Sequence, residues 1–227
     1  AWVIGTTWCQ AMAASQELMD AFRRMTQLNP HQIDSFDVKS AVETLKRRVD
    51  SGGMAVVDQD IYPVTPMGTD YADLVLPAAT WGEEDFTRCN GERRLRLYSK
   101  FADPPGEARS DWWIISQFAR KMGFEGFDWK DSNQIFEEAA RFGRGGVLNY
   151  HPLVVKAKRE GKRAHDLLRE LGTTGIQTPI RMVGGQLVGT KRLHDETLEL
   201  GPPEGPTVHQ KWLTQFGGQV GKAVLLK

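Results

Sequence analysis

MAVVDQDIYPVTPMGTDYADLVLPAA, residues 54–79, is the stretch on which the fold turns. MAVVDQD reads as a compact strand of the kind found in parallel sheets covered on both faces. IYPVTPMGTDYAD reads as a polar loop with two prolines, and LVLP as a second short strand.

Upstream, WVIGTT at 2–7 reads as a buried strand ending in a Gly-Thr turn. Met12, Leu18, Met19, Phe22 and Met25 fit one face of a helix over 11–25, broken at Asn29-Pro30. Val38, Val42, Leu45 and Val49 predict a second helix over 38–49, with its lysine and arginines on the opposite side and a glycine stop at 51–53. The order strand, helices, strand, loop, strand is that of an α/β parallel sheet with crossover helices. Ligands gather at the carboxyl ends of such strands, which puts QDIYPVT where a binding loop belongs.

Downstream, Ser110-Asp111 opens a helix SDWWIISQFARKMG, with Asp111 complementing its positive start. A further helix is expected over 132–142. From 143 to 227 glycine and proline become frequent, and the reading there is an irregular segment with one basic helix, 152–171, and a hairpin at Gly184-Gly185. The expected division is therefore 1–142 as part of an α/β domain and 143–227 as a segment leading toward a further domain. A start at AWVIGTTW and an end at GKAVLLK, both inside strand-like runs, read as those of a piece of a longer protein.

Lys and Arg together number 29, as do Asp and Glu, so no charge bias points to nucleic acid or an anionic surface. No apolar run reaches the roughly 20 residues of a spanning helix. Cys9 and Cys89 are too few for a disulfide framework or an iron–sulfur site within these residues. His31, His151, His165, His194 and His209 lack metal-ligand spacing, and no GxGxxG, GxxxxGK[ST] or GxSxG occurs.

The residues left to carry function are polar groups beside the strands. Asp58 and Asp60 flank Gln59, which both donates and accepts; an Asp-capped turn is the plainer alternative. Glu83, Glu84 and Asp85 form an acidic patch, and ERRLR after Asn90-Gly91 predicts a hairpin strand with an arginine face, or a phosphate contact. Asp60 is expected at the carboxyl end of its strand, its carboxylate placed to accept from the hydroxyls or amide-like edge of a nucleotide, with Asp58 on the other strand face.

Together DIYPVT, ADLVLPAATWGEED and NGERRLRLYSKFADPPGEARSDWW resemble the large subunit of molybdenum bis-molybdopterin guanine dinucleotide oxidoreductases, the family of DMSO reductase and periplasmic nitrate reductase. NGERRLRL with KFADPPGEA, FDWK, GTTGIQTPI and LVGT is most similar to the arsenite oxidase branch. The resemblance covers essentially the whole chain and is strongest over about 56–130. It implies cofactor contacts at Gln59 and Asp60, at Asp111, at Glu84 (where relatives can carry Lys) and at Thr7 in GTTW.

It further implies an iron–sulfur cluster in an amino-terminal part outside these residues, a small Rieske-type iron–sulfur partner subunit, a small oxyanion substrate and a periplasmic location. No catalytic residue falls within the chain on this reading. The implied reaction is oxidation of arsenite to arsenate, the alternative being reduction of iodate or nitrate by the same branch. A non-catalytic nucleotide-binding or interaction module is the reading from another class.

Overall fold

The structure, a computed structural model, describes residues 1–27, 37–62 and 64–193. His31, His194, His209, the Asn29-Pro30 break and the strand-like run at GKAVLLK lie outside the described residues, as does the side chain of Cys9. The chain forms two compact units, one from 1–83 with 103–118, the other from 84–102 with 119–227. Their junctions do not fall at the 142/143 division read from composition.

The first unit is built on three short parallel strands. β1 (Trp2–Ile4) is followed by α1 (Trp8–Ala11), α2 (Ser15–Thr26) and α3 (Val38–Asp50) before the chain returns as β2 (Val57–Asp60). α4 (Pro66–Asp70) then crosses to β3 (Leu74–Pro77). β2 lies between the other two and pairs in parallel with both, Val3 opposite Asp58 and Asp60 opposite Pro77. The expected parallel sheet with crossover helices is present. The supposed loop between β2 and β3 contains α4, with Thr65 as its cap and Pro66 in its first turn. Proline fits there because the first amide has no helical partner to lose.

Val3, Phe22, Val56, Met67 and Tyr71 form the core of this unit. α2 buries Phe22 from the expected face, while Met12 and Met25 stay exposed. α3 departs further from expectation. Val38, at 72% exposure, and Val42, Val49 face outward, and the buried side chains are Thr44 and Arg48. The cause is an ion pair. Arg48 Nη1 donates to Asp73 Oδ1 at 2.6 Å, with both side chains under a tenth exposed. Asp73 Oδ2 accepts the Val56 amide at 2.9 Å. This clamp turns α3 about its axis so that a charged residue, not a valine, faces the sheet. At the end of α3 Gly53 fits because a side chain there would meet the carbonyl oxygens of Met25 and Arg48 at 2.8 and 2.9 Å.

α5 (Asp111–Lys121) begins in the first unit after the strand-like contact of Ala78 with Arg109. Its start and that of α6 (Ser132–Phe142) fall where the sequence places them.

The second unit contains β4 (Phe86–Cys89) and β5 (Arg94–Tyr98), joined as a hairpin at Asn90-Gly91. α6, α7 (His151–Arg159) and α8 (Ala164–Leu171) follow, then β6 (Ile176–Gln177), which pairs with β5. β7 (Arg181–Val183) and β8 (Gln186–Val188) make the hairpin expected at Gly184-Gly185. The single helix expected over 152–171 is two helices. Lys162 N–H closes α7 on the Ala157 carbonyl at 2.8 Å, and Gly161 takes φ +67° to allow it. Leu95, Phe136, Ala140, Leu153, Val154, Leu168 and Ile180 share one core, so hairpin and helices bury a common face. No described helix is long and apolar enough to cross a membrane.

Removing one member of a buried ion pair strands the other, at a cost of about 3–5 kcal/mol. Asp73→Ala should lose about that much by urea unfolding, and adding Arg48→Met should restore part of it, because no buried charge then remains.

Candidate functional site

The carboxyl edge of the parallel sheet collects the polar groups. Gly5 N–H donates to the Gln59 carbonyl at 2.8 Å and Ala78 N–H to the Asp60 carbonyl at 3.0 Å, so β1, β2 and β3 end level with one another. Parallel strands ending together leave a crevice beyond their last residues. Gln59 and Asp60 are the last two residues of β2.

Gln59 is fully buried, and its Nε2 donates to Asp111 Oδ1 at 2.6 Å. Its Oε1 is buried without a hydrogen-bond partner. Since nearly all buried side-chain oxygens in folded proteins are paired, an orphaned acceptor here marks a place for a donor. Asp111 is the first residue of α5, where the helix start favours its negative charge. Two residues 52 apart in sequence are thus joined as one acceptor pair.

Asp60 is half-buried, and its Oδ1 accepts the Tyr62 amide at 3.1 Å. The Asp-capped turn is therefore real. A carboxylate has acceptor sites beyond that one bond, so the turn fixes the group without exhausting it. Thr7 caps α1 through its main chain only; its carbonyl accepts from Gln10 and Ala11, and its side chain makes no capping bond. Glu84, half-buried, is the first residue of the second unit.

The expectation for Asp58 is overturned. Residues two apart on a strand share a face, so Asp58 and Asp60 point to the same side and Gln59 to the other. Asp58 is fully buried, and its Oδ2 accepts from the Thr65 hydroxyl at 3.0 Å. Burial pushes its carboxyl above the usual range, the Thr65 hydrogen bond opposes that, and the nearby Asp60 charge adds to the rise. The legible sign of this pairing was Thr65-Pro66, a capping residue followed by a first-turn proline.

The remaining candidates have structural partners. Glu83 Oε2 accepts the Thr80 amide, and Asp85 accepts the Lys100 amide and pairs with Arg169 at 3.2 Å. Arg93 donates to the carbonyls of Thr178, Thr190 and Lys191, Arg94 to Thr174 and Arg96 to Thr173. The arginine face of the hairpin holds main-chain carbonyls, which is the plainer of its two readings. His165 is buried and its pKa is lowered by desolvation; His151 begins α7. No cluster of metal-ligating side chains occurs among the described residues. Cys89 is a free, half-buried thiol whose pKa burial raises.

The edge thus offers acceptors and no described nucleophile or proton-transfer pair. It suits a ligand that presents several N–H or O–H donors, as a guanine or pterin ring does, and it suits holding that ligand, not transforming it.

Residues 55–121 match the family model described as molybdopterin oxidoreductase. The whole chain aligns at 64% identity with the iodate reductase subunit IdrA of Denitromonas iodatirespirans and at 61% with that of a Pseudomonas strain, covering 26% of each protein. It aligns at 32% identity over 80% of its length with the arsenite oxidase subunit AioA of Herminiimonas arsenicoxydans, covering 24% of that protein. The chain spans about a quarter of the length of these relatives.

Gln59→Glu would set a second carboxylate against Asp111 in place of the 2.6 Å amide bond. At pH 7 this should cost about 1–3 kcal/mol of stability. One carboxyl of the pair would have its folded pKa raised, so the deficit is present above the unfolded carboxyl pKa and shrinks as pH falls toward 5. Thermal unfolding of variant and parent at the two pH values measures it; an equal deficit at both would mean that the groups do not interact.

Proposed function

We propose, from the premise that this chain belongs to the molybdopterin oxidoreductase family, that it is the cofactor-holding part of a larger oxidoreductase acting on a small oxyanion. The observation that carries the reading is the buried, orphaned Gln59 Oε1 at the carboxyl edge, tied through its amide to Asp111 and adjacent to Asp60. Gln59, Asp60 and Asp111, with Thr7 at the end of the neighbouring strand, are the groups that would hold the nucleotide-like end of the cofactor; Glu84 joins them by resemblance alone. The molybdenum–pterin group, when bound, supplies the two-electron exchange of an oxygen atom with the substrate. The chain's own residues bind it, orient it and exclude water from the buried amide.

The cofactor form we favour is the bis guanine dinucleotide. Its support is the donor-bearing edge of guanine, which matches the acceptors at 59, 60 and 111. Iron–sulfur centres elsewhere in the protein, a small Rieske-type partner and a periplasmic location complete the proposal, and these rest on the resemblance alone.

For the substrate, iodate is preferred to arsenite. Identity of 64% and 61% over the whole chain to iodate reductase subunits, against 32% over 80% of it to an arsenite oxidase subunit, reverses the order read from the motifs. The purified full-length protein with a reduced electron donor should consume iodate and leave arsenite untouched. Oxidation of arsenite with iodate left unconsumed would restore the other reading.

A carboxylate that accepts two donors of a buried ring is worth about 1–3 kcal/mol, or roughly ten- to a hundredfold in affinity. Asp60→Ala in the full-length protein should lower molybdenum and guanine nucleotide per polypeptide accordingly. Full occupancy in a folded variant would leave Asp60 as a turn residue only.

A further inference from the structure

We infer that Asp58, on the reading that this edge holds the cofactor, is a positioning residue: through Thr65 it fixes the turn that carries Asp60, and so sets how firmly the cofactor is retained. Asp58 sits one residue back from the edge, fully buried, and does not itself reach the crevice through an exposed atom. Its Oδ2 accepts the Thr65 hydroxyl hydrogen at 3.0 Å. A hydroxyl has one hydrogen and two lone pairs, so giving its hydrogen to Asp58 orients a lone pair toward the Gly68 amide, which it accepts at 2.9 Å. The Thr65 carbonyl accepts Thr69 N–H at 2.8 Å. The start of α4 is thereby fixed to β2 by a side-chain bond that skips the connecting residues.

The other end of that connection is fixed as well. The Asp60 carbonyl accepts from Ala78 of the chain following β3, and Asp60 Oδ1 accepts from Tyr62. With both ends set, the rotamer of Asp60 follows from the turn geometry. Loss of the Asp58–Thr65 bond frees the Thr65 end and with it the amide that orients Asp60.

The chemistry of Asp58 argues that stability alone does not account for it. Its Oδ1 is buried with no hydrogen-bond partner. It also lies close enough to the Asp60 charge to feel it. A buried carboxylate with an unpaired oxygen and a like charge nearby is a poor contributor to folding, and an apolar residue of similar volume would serve the core better. A group that is costly in the fold yet orients the capping residue of the cofactor-side turn fits a role in presentation.

The experiment uses the full-length protein with its cofactor. Asp58→Ala, Asp58→Asn, Thr65→Val, Thr65→Ser and the Asp58→Ala/Thr65→Val double variant are compared with Asp60→Ala. Molybdenum per polypeptide and hydrogen exchange at the Tyr62 and Gly68 amides are measured. Asp58→Ala and Thr65→Val should each lower molybdenum retention about three- to tenfold, the size expected for one lost hydrogen bond in a buried setting, and speed exchange at both amides. The double variant should be no worse than the worse single one, because both remove the same bond. Thr65→Ser and Asp58→Asn, which keep the hydroxyl donor and an acceptor oxygen, should retain most of the metal.

Full molybdenum with unchanged exchange in Asp58→Ala, alongside loss in Asp60→Ala, overturns the positioning role and leaves the cofactor reading intact. Full molybdenum in Asp60→Ala as well takes Asp60 out of the cofactor reading and overturns this inference with it, while Gln59 and Asp111 keep their place. Should Asp58→Ala not fold, Thr65→Val against Thr65→Ser decides the matter: equal retention in that pair overturns the inference.

Discussion

Parallel pairing of β2 on both of its edges is the constraint from which the rest of the first unit follows. With β1 on one side and β3 on the other, every main-chain group of this short strand is committed to a neighbour, and the strand has no freedom to slip. Three residues, Asp58, Gln59 and Asp60, then acquire fixed faces and a fixed depth. The carboxylates fall on one side and the amide on the other, all at the end where the sheet opens. A one-residue change of register would exchange the two faces, carrying the carboxylates to the side that Gln59 now occupies and the amide to theirs. The Arg48–Asp73 clamp protects that register, because Asp73 accepts the amide of Val56 just before β2 and holds Arg48 from α3 at the same time.

The elements were legible in the sequence where one cause dominated. Apolar clusters at 56–57 and 74–76, the helix start at Ser110-Asp111 and the Asn90-Gly91 turn each carry a local signal strong enough to fix an element. Where two causes competed, pattern alone chose wrongly. The valines of α3 advertise a buried face, yet a buried arginine paired with an aspartate 25 residues away decides the rotation of the helix. Periodicity counts apolar residues and is blind to an ion pair that forms only in the fold. The helix over 152–171 failed for a different reason: its apolar spacing runs on past Gly161, and that glycine, at φ +67°, is the local stop that the spacing hides.

The site was legible to a similar depth. Gln59 and Asp60 were identifiable as strand-end residues, and Asp111 as a helix start, but nothing in the spacing says that an amide at 59 meets a carboxylate at 111. That contact depends on where α5 begins relative to the sheet. Asp58 was misplaced for a simpler reason, since the two-residue period of a strand puts it with Asp60. Arginines 93, 94 and 96 looked like anion ligands because arginine commonly is one; here the chain folds its own carbonyls of 173, 174 and 178 against them. Arg93 gives its guanidinium to three carbonyls, and Arg94 and Arg96 each bond one carbonyl with the Glu92 carboxylate beside them.

These assignments separate two tasks. An edge made of carboxylates and a buried amide oxygen is an acceptor surface, and acceptors recognise rings that carry N–H groups. They do little to stabilise a developing negative charge, which reduction or oxidation of an oxyanion requires. Arginines 93, 94 and 96, which the sequence offered as anion ligands, donate to main-chain carbonyls within the second unit. On the function proposed above, recognition of substrate would belong to residues other than those at this edge, and this chain's share would be to hold the cofactor still. Two relatives named for different oxyanions, iodate and arsenite, both align with this chain, and the proposed division accommodates that: the grip on the cofactor would be common to them and the choice of oxyanion would be made elsewhere.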